Sequence, residues 1–498
     1  MPAMQRYLYL FLIFVACQSA ASHFTGHPGE TWQGSRHASG IYSFRGLPYA
    51  EPPVGALRWQ PPKPYKPSGG HQSASTFAPA CMHAAPIERW YRDLIEKLES
   101  DPADFEGPQG SSEDCLYLNV WTPTMDTEAA LPVMVWIHGG SNESGWAYEP
   151  DYRGNQLAQQ NVVVISVAYR LGAFSMFALP ELIEEQDGSA ANYGLLDLIA
   201  ALEFIQQHAS AFGGDPGNVT LFGESAGAEN IAALMASARA EPLFHKAIHQ
   251  SGPALSGYHL SDVIEYSQHL AGKRDLEELR SMPAEDLYEL QSENSPAIGF
   301  GPVAGGHGLP DDNLYDEATA KPLLIGTNDH EWLMYLEPDV SLDETTHQFD
   351  FHLGPDSLRA MLPDLNDHQI ADRVTTAEYM YCPSIKLADI ISAEKPVFFY
   401  LFSRVRDGEF GQRVGAYHGA EIPYVFNHHD NYLVTNATDH ELTRLMMDYW
   451  TNFARTGNPN SKASPYWPAY QASSRLVMTL NQQLSVGRAR DLSLCASP

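Results

Sequence analysis

The chain has 498 residues, with 30 Lys plus Arg against 61 Asp plus Glu and a net charge of −31. That balance excludes a nucleic-acid binder, which needs a basic footprint, and it disfavours anionic membrane surfaces for the same reason. Hydrophobic residues make up 44% of the chain, so it is not a disordered one. At about 150 residues per domain the length admits three domains or one large α/β body.

In chain order, Arg6 supplies a positive charge and Tyr7–Ala16 is an unbroken apolar run of ten residues. That is half of the about 20 residues needed to cross a hydrocarbon core. With Ser19, Ala20 and Ala21 following, residues 1–21 read as a secretory signal peptide, and 22–498 as the mature single domain. Phe14-Val15-Ala16-Cys17 offers a second reading, a bacterial lipoprotein box that would lipidate Cys17. Both readings export the protein, and no later run is apolar enough to span a membrane. Export gives the remaining cysteines meaning: Cys81, Cys115, Cys382 and Cys495 are an even set in an oxidising compartment. Four cysteines allow three pairings, and their spacing does not choose among them. No metal-ligand spacing and no phosphate-binding loop occurs, so neither a metal nor a cofactor is expected.

Short β-branched runs alternate with helical patterns, the mark of a mostly parallel sheet covered on both faces. The clearest strands are Val133–Ile137, Val162–Tyr169, Val219–Phe222, Leu323–Asn328 and Val397–Phe402, with an amphipathic helix over Leu195–Phe212. Two excursions, about Ile87 to Gly110 and about Tyr258 to Ser295, are helical and charged, and read as cap elements. After the first strand comes His138-Gly139-Gly140-Ser141, whose glycines let backbone N–H groups face a substrate oxygen. Val219–Phe222 runs into Gly223-Glu224-Ser225-Ala226-Gly227 and then a small-residue helix. A GxSxG sequence alone is a weak signal. Between a strand and a helix it describes a sharp elbow that exposes a strained serine, Ser225.

An alcohol needs a base to become a nucleophile, and the base needs a carboxylate to orient it. The order along the chain should be serine, acid, histidine. His418 stands out in a loop beyond the strand Val397–Phe402. Asp329 and Glu331, at the end of Leu323–Asn328, are both acid candidates, and spacing does not separate them.

The sequence resembles the type-B carboxylesterase family, the cholinesterase-like α/β hydrolases. Phe212 through Gly227 is similar to the family's serine signature, and Glu113 through Val120 to its second signature. Gly46 through Arg58, Tyr169 through Gly172, Gln250 through Gly252, Trp450 through Asn460 and Trp467 through Tyr470 carry further likeness. The resemblance implies an α/β-hydrolase fold and a serine ester hydrolase working through an acyl-enzyme on small to medium uncharged esters. It implies Ser225 as nucleophile, His418 as base and Glu331, rather than Asp329, as the acid. It further implies oxyanion donors at the Gly140, Ser141 and Ala226 amides, bridges Cys81–Cys115 and Cys382–Cys495, and an electrostatic role for Glu224. Three departures stand out: Ser141 where Gly or Ala is usual, Trp332 where Gly is common, which would narrow the pocket, and Leu198 for a usual Gln. No Trp lies between Phe105 and Ser112 to stack on choline, which argues against choline esters. The shortened middle segment favours the bacterial para-nitrobenzyl-esterase type. Rival readings are a lipase, thioesterase, or polyester- or toxin-degrading esterase on this fold, and a non-catalytic binding protein. Acyl-chain-length series and organophosphate labelling discriminate among them.

Overall fold

A computed structural model describes residues 23–27, 29–83, 86–97, 105–253, 255, 258–294, 299–311, 314–315, 317–429, 433–490 and 492–495. The expected signal segment 1–21 and the lipidation candidate Cys17 lie outside the described residues. Eleven strands form one sheet: β1 (Ser35–Arg36), β2 (Tyr42–Pro48), β3 (Tyr117–Thr122), β4 (Leu131–Ile137), β5 (Val163–Val167), β6 (Gly214–Glu224), β7 (Lys246–Gln250), β8 (Leu323–Asn328), β9 (Val397–Phe402), β10 (Leu476–Leu480) and β11 (Ser485–Arg488). They run across it in the order β1-β2-β3-β5-β4-β6-β7-β8-β9-β10-β11. Pairing is parallel from β5 through β10 and antiparallel at both edges. Every residue of β5, β7, β8 and β9 is buried, as strands covered on both faces must be.

The main helices are α1 (Pro86–Lys97), α2 (Tyr193–His208), α3 (Ala226–Ala236), α4 (Leu260–Ala271), α5 (Leu276–Ser281), α6 (Ala284–Glu293), α7 (Asp367–Thr376), α8 (Cys382–Ile391) and α9 (Ala437–Thr456). The expected helix over Leu195–Phe212 stops at His208. Its last turn tightens to a 3-10 helix over Ala209–Phe212, closed by Gly213 at φ 74°. Strand β6 starts earlier than expected, at Gly214, through an irregular stretch before Val219. Leu198, on α2, is buried in the core, which supports packing as its role. Disulfides join Cys81 to Cys115, enclosing α1, and Cys382 at the start of α8 to Cys495.

Asp439 fixes the segment between β9 and α9, which carries His418. Its Oδ1 accepts Arg404 Nε at 2.8 Å and the Tyr424 hydroxyl at 2.6 Å, and its Oδ2 closes the cap of α9 by accepting Asn436 N–H at 3.0 Å. The Asp439 side chain is fully buried and that of Arg404 nearly so. Asp439→Asn leaves that guanidinium short of its charge partner, and a loss of about 3–5 kcal/mol in urea unfolding is expected. A loss under 1 kcal/mol would show, by the same reasoning, that the pair is not a buried anchor.

Candidate active site

Strand β6 ends at Glu224, and α3 begins at Ala226, with Ser225 between them at φ 57° and ψ −129°. The reversal leaves no room for side chains beside it. A Cβ on Gly227 would sit 2.0 Å from the Ile137 carbonyl oxygen, and one on Gly223 would sit 2.6 Å from it. Both are close-approach glycines, and the strained serine persists because its neighbours over-determine it. The Ser225 amide is anchored on the Gln250 carbonyl at 2.9 Å.

The other two predicted side chains meet at the ends of β8 and β9. His418 Nδ1 lies 2.8 Å from Glu331 Oε2, and Glu331 Oε1 accepts the Asn328 amide at 2.6 Å. Glu331 is fully buried, so its geometry is held without competing water. The two loops are stitched together by His330 N–H to the Ala416 carbonyl at 3.1 Å and Ala416 N–H to His330 Nδ1 at 3.2 Å. Asp329 faces elsewhere, paired with Arg373 at 2.6 Å and Arg490 at 3.4 Å. The far nitrogen, His418 Nε2, lies 3.2 Å from Glu224 Oε1. Among the described residues no hydrogen bond joins it to Ser225 Oγ, although the hydroxyl belongs to the residue next to Glu224. Catalytic contacts of this kind commonly tighten only when substrate binds.

Beyond β4, Gly140, Ser141 and Asn142 all have positive φ, 99°, 56° and 55°. Tyr169 donates its hydroxyl to the His138 carbonyl at 2.8 Å, and Gly172 N–H meets the Asn142 carbonyl at 2.7 Å. Burial lowers His138 to about 4, so the ring is neutral and its Nδ1 meets the Gly139 carbonyl as a donor at 2.8 Å. The loop therefore stands fixed beside Ser225, and a Cβ on Gly139 would approach the Ser225 Cβ to 2.9 Å.

Burial pushes Glu224 up to about 8, and Glu421, Glu331 and Glu149 push the same way, while His418 pulls against them. For His418, burial acts to lower the imidazole, but the Glu224 and Glu331 carboxylates outweigh it and leave it raised. The two groups titrate as a pair across their contact. Trp332 is half-buried, donates its backbone N–H to Asp372 Oδ1 at 2.9 Å, and has its ring 5.7 Å from Tyr335 and 5.2 Å from Tyr379. Among the described residues no group of three or more His, Cys, Asp or Glu side chains could hold a metal ion.

The sequence matches the carboxylesterase family over residues 29–495. The chain belongs to that family. It is 32% identical to cocaine esterase of Homo sapiens, covering 97% of this chain and 92% of that protein. It is 33% identical to para-nitrobenzyl esterase of Bacillus subtilis (strain 168), covering 90% and 93%. A solved PNB esterase superposes with a TM-score of 0.78 at 29% identity, over 93% of this chain and 97% of that one. This carboxylesterase accordingly has the α/β-hydrolase fold and is a serine hydrolase of carboxylic esters.

Several residues around the site carry no local sequence signal. Glu421 accepts Asn328 Nδ2 at 2.7 Å and Gln250 Nε2 at 2.9 Å, tying the histidine loop to β8 and to the elbow. Asn142 bonds Glu229 and Asn230 of α3 at 3.1 and 2.7 Å. Asn142 also opens a glycosylation sequon, but its amide is engaged and buried. Asp372 and Glu149 are buried carboxyls, and each has one partner far along the chain, the Trp332 amide for Asp372 and the Tyr91 hydroxyl for Glu149.

Proposed function

We propose that Ser225, His418 and Glu331 form the catalytic triad of a two-step acyl transfer on small to medium uncharged esters. The observation that carries it is a serine on a strained strand-to-helix elbow, next in sequence to the carboxyl that touches an imidazole held 2.8 Å from a buried glutamate. Ser225 Oγ attacks the ester carbonyl carbon while His418 Nε2 takes its proton. Glu331 fixes the tautomer by accepting from Nδ1. The negative oxygen is met by the amides of Gly140, Ser141 and Ala226, each donor worth about 3–4 kcal/mol. His418 then protonates the leaving alcohol, and water repeats the sequence on the acyl-enzyme. The same reading takes 22–498 as one catalytic domain and 1–21 as an export signal. The two disulfides fit export.

The test is stoichiometric labelling by a para-nitrophenyl phosphonate, followed by peptide mapping, with turnover of para-nitrophenyl esters of increasing acyl length. Phosphonylation at Ser225 is expected, with turnover falling as the chain lengthens. Label elsewhere would sink the assignment, and a preference for long chains would indicate a lipase.

Glu224 sets the pH response. Its negative charge raises His418, and the base works only when the imidazole is neutral. Glu224→Gln removes the charge, so the acid limb of kcat/KM should move to lower pH. An unmoved limb, or one displaced upward, contradicts this coupling.

A further inference from the structure

A backbone donor stabilises an oxyanion only if it is already in place when the charge develops. Three consecutive residues at positive φ are held within the turn only at the Gly140 carbonyl, which accepts the Glu143 and Ser144 amides at 3.0 and 2.9 Å and the Ser144 hydroxyl at 3.0 Å, and the rest of the turn from Gly140 to Trp146 is restrained from outside. Its near end is held by Tyr169 on the His138 carbonyl and its middle by Gly172 on the Asn142 carbonyl. Its far end lands on Glu149. The Trp146 amide donates to Glu149 Oε1 at 3.1 Å, and a Cβ on Gly145 would come within 3.2 Å of the same oxygen. The other oxygen, Oε2, accepts the Tyr152 hydroxyl at 2.9 Å and the Tyr91 hydroxyl.

Glu149 is 3% exposed, and among the described residues it has no Lys, Arg or His as ion-pair partner. Burial pushes its carboxyl up to about 7, against the pull of the Tyr91 and Tyr152 hydroxyls and the Trp146 amide. A carboxyl taken from water without a cation is costly, and an apolar side chain would fill the same space without that cost. What the carboxyl provides is two acceptor oxygens facing opposite ways, one on the turn and one on two tyrosines. Tyr91 lies on α1, inside the Cys81–Cys115 loop, with its ring 5.1 Å from Phe105 and 6.2 Å from Trp146.

We propose that Glu149 is a positioning residue for the oxyanion turn, anchoring its far end and itself held by Tyr91 of the cap helix α1. The proposal rests on the esterase reading given above. It makes the α1 excursion a brace for the chemistry, with a hydroxyl reaching from the cap to the residue that fixes the donors.

The experiment compares wild type with Glu149→Gln, Tyr91→Phe and Tyr152→Phe. Each is assayed for kcat and KM on para-nitrophenyl acetate, for inhibition by an aryl trifluoromethyl ketone, and for Tm. The ketone's hemiketal oxygen sits where the oxyanion forms, so its affinity reports the donors separately from substrate binding. Glu149→Gln is expected to lower kcat by about tenfold or more with KM within about twofold, and to weaken the ketone by a similar factor. Each Tyr→Phe variant should lower both quantities by a smaller factor. A Tm loss with kcat and ketone affinity intact would reduce Glu149 to a structural carboxyl and overturn the proposal. If Glu149→Gln does not fold, the Tyr→Phe pair decides: unchanged kcat and ketone affinity in both overturns it. Wild-type turnover is the control, since its absence would sink the esterase reading itself.

Discussion

Ser225→Ala is expected to lower kcat on para-nitrophenyl acetate by about a million-fold while leaving the fold intact. The oxygen removed forms no hydrogen bond with the His418 ring among the described residues, so little stability is lost with it. What is lost is the only atom on the elbow able to form the acyl-enzyme. The oxyanion turn and the binding surface remain, and they should sustain a residual rate about 10³–10⁴-fold above that in water. His418→Ala should cost about as much, and the double variant little more, because nucleophile and base act as one unit. Burst kinetics on wild type and steady-state rates on the three variants measure this. Additive losses, or a single variant that keeps wild-type turnover, would remove Ser225 or His418 from the mechanism.

What could be read from the sequence follows from where each signal is stored. Strands β8 and β9 match their expected bounds residue for residue, because burial on both faces turns a strand into a continuous apolar run with clear ends. Ser225 was legible because the elbow excludes side chains on both sides, so its requirement is written in adjacent residues. The acid was not legible from spacing. Asp329 and Glu331 sit two apart in one loop, and the partner that separates them, Arg373 on α7, lies 44 residues away from Asp329. The family resemblance points to Glu331, whose Oε2 lies 2.8 Å from His418 Nδ1. Glu149 and Asp372 were invisible for the same reason. In a single sequence each reads as an ordinary acidic residue in a loop or on a helix, and only the folded chain brings Tyr91 to one and the Trp332 amide to the other. The Trp332 ring groups with Tyr335 and Tyr379 beside the acid loop, and its backbone fastens that loop to α7.

That separation of the two carboxylates yields an expected result with opposite consequences at neighbouring positions. Glu331→Gln should lower kcat by about 10⁴-fold. The amide retains the size of the side chain but loses the charge that stabilises the imidazolium, and its NH₂ group allows the ring to settle in the wrong tautomer. Unfolding should change far less than turnover, since Glu331 is held by packing and by the Asn328 amide as well as by the ring. Asp329→Asn should do the reverse. Burial acts to raise the Asp329 carboxyl, but Arg373, Arg490 and His330 outweigh it and hold it below the usual carboxylate range. A carboxyl lowered on folding contributes stability above its unfolded pKa of about 3.9, and loses it as pH falls through the lower folded value. The Asn variant should therefore lose about 1–3 kcal/mol at neutral pH, with the deficit vanishing in acid, while kcat stays near wild type. Urea titrations at pH 7 and below pH 3, paired with steady-state kinetics, separate the two roles. If Asp329→Asn abolished turnover with stability intact, the acid of the triad would be Asp329, and the 2.8 Å contact between Glu331 and His418 would be structural.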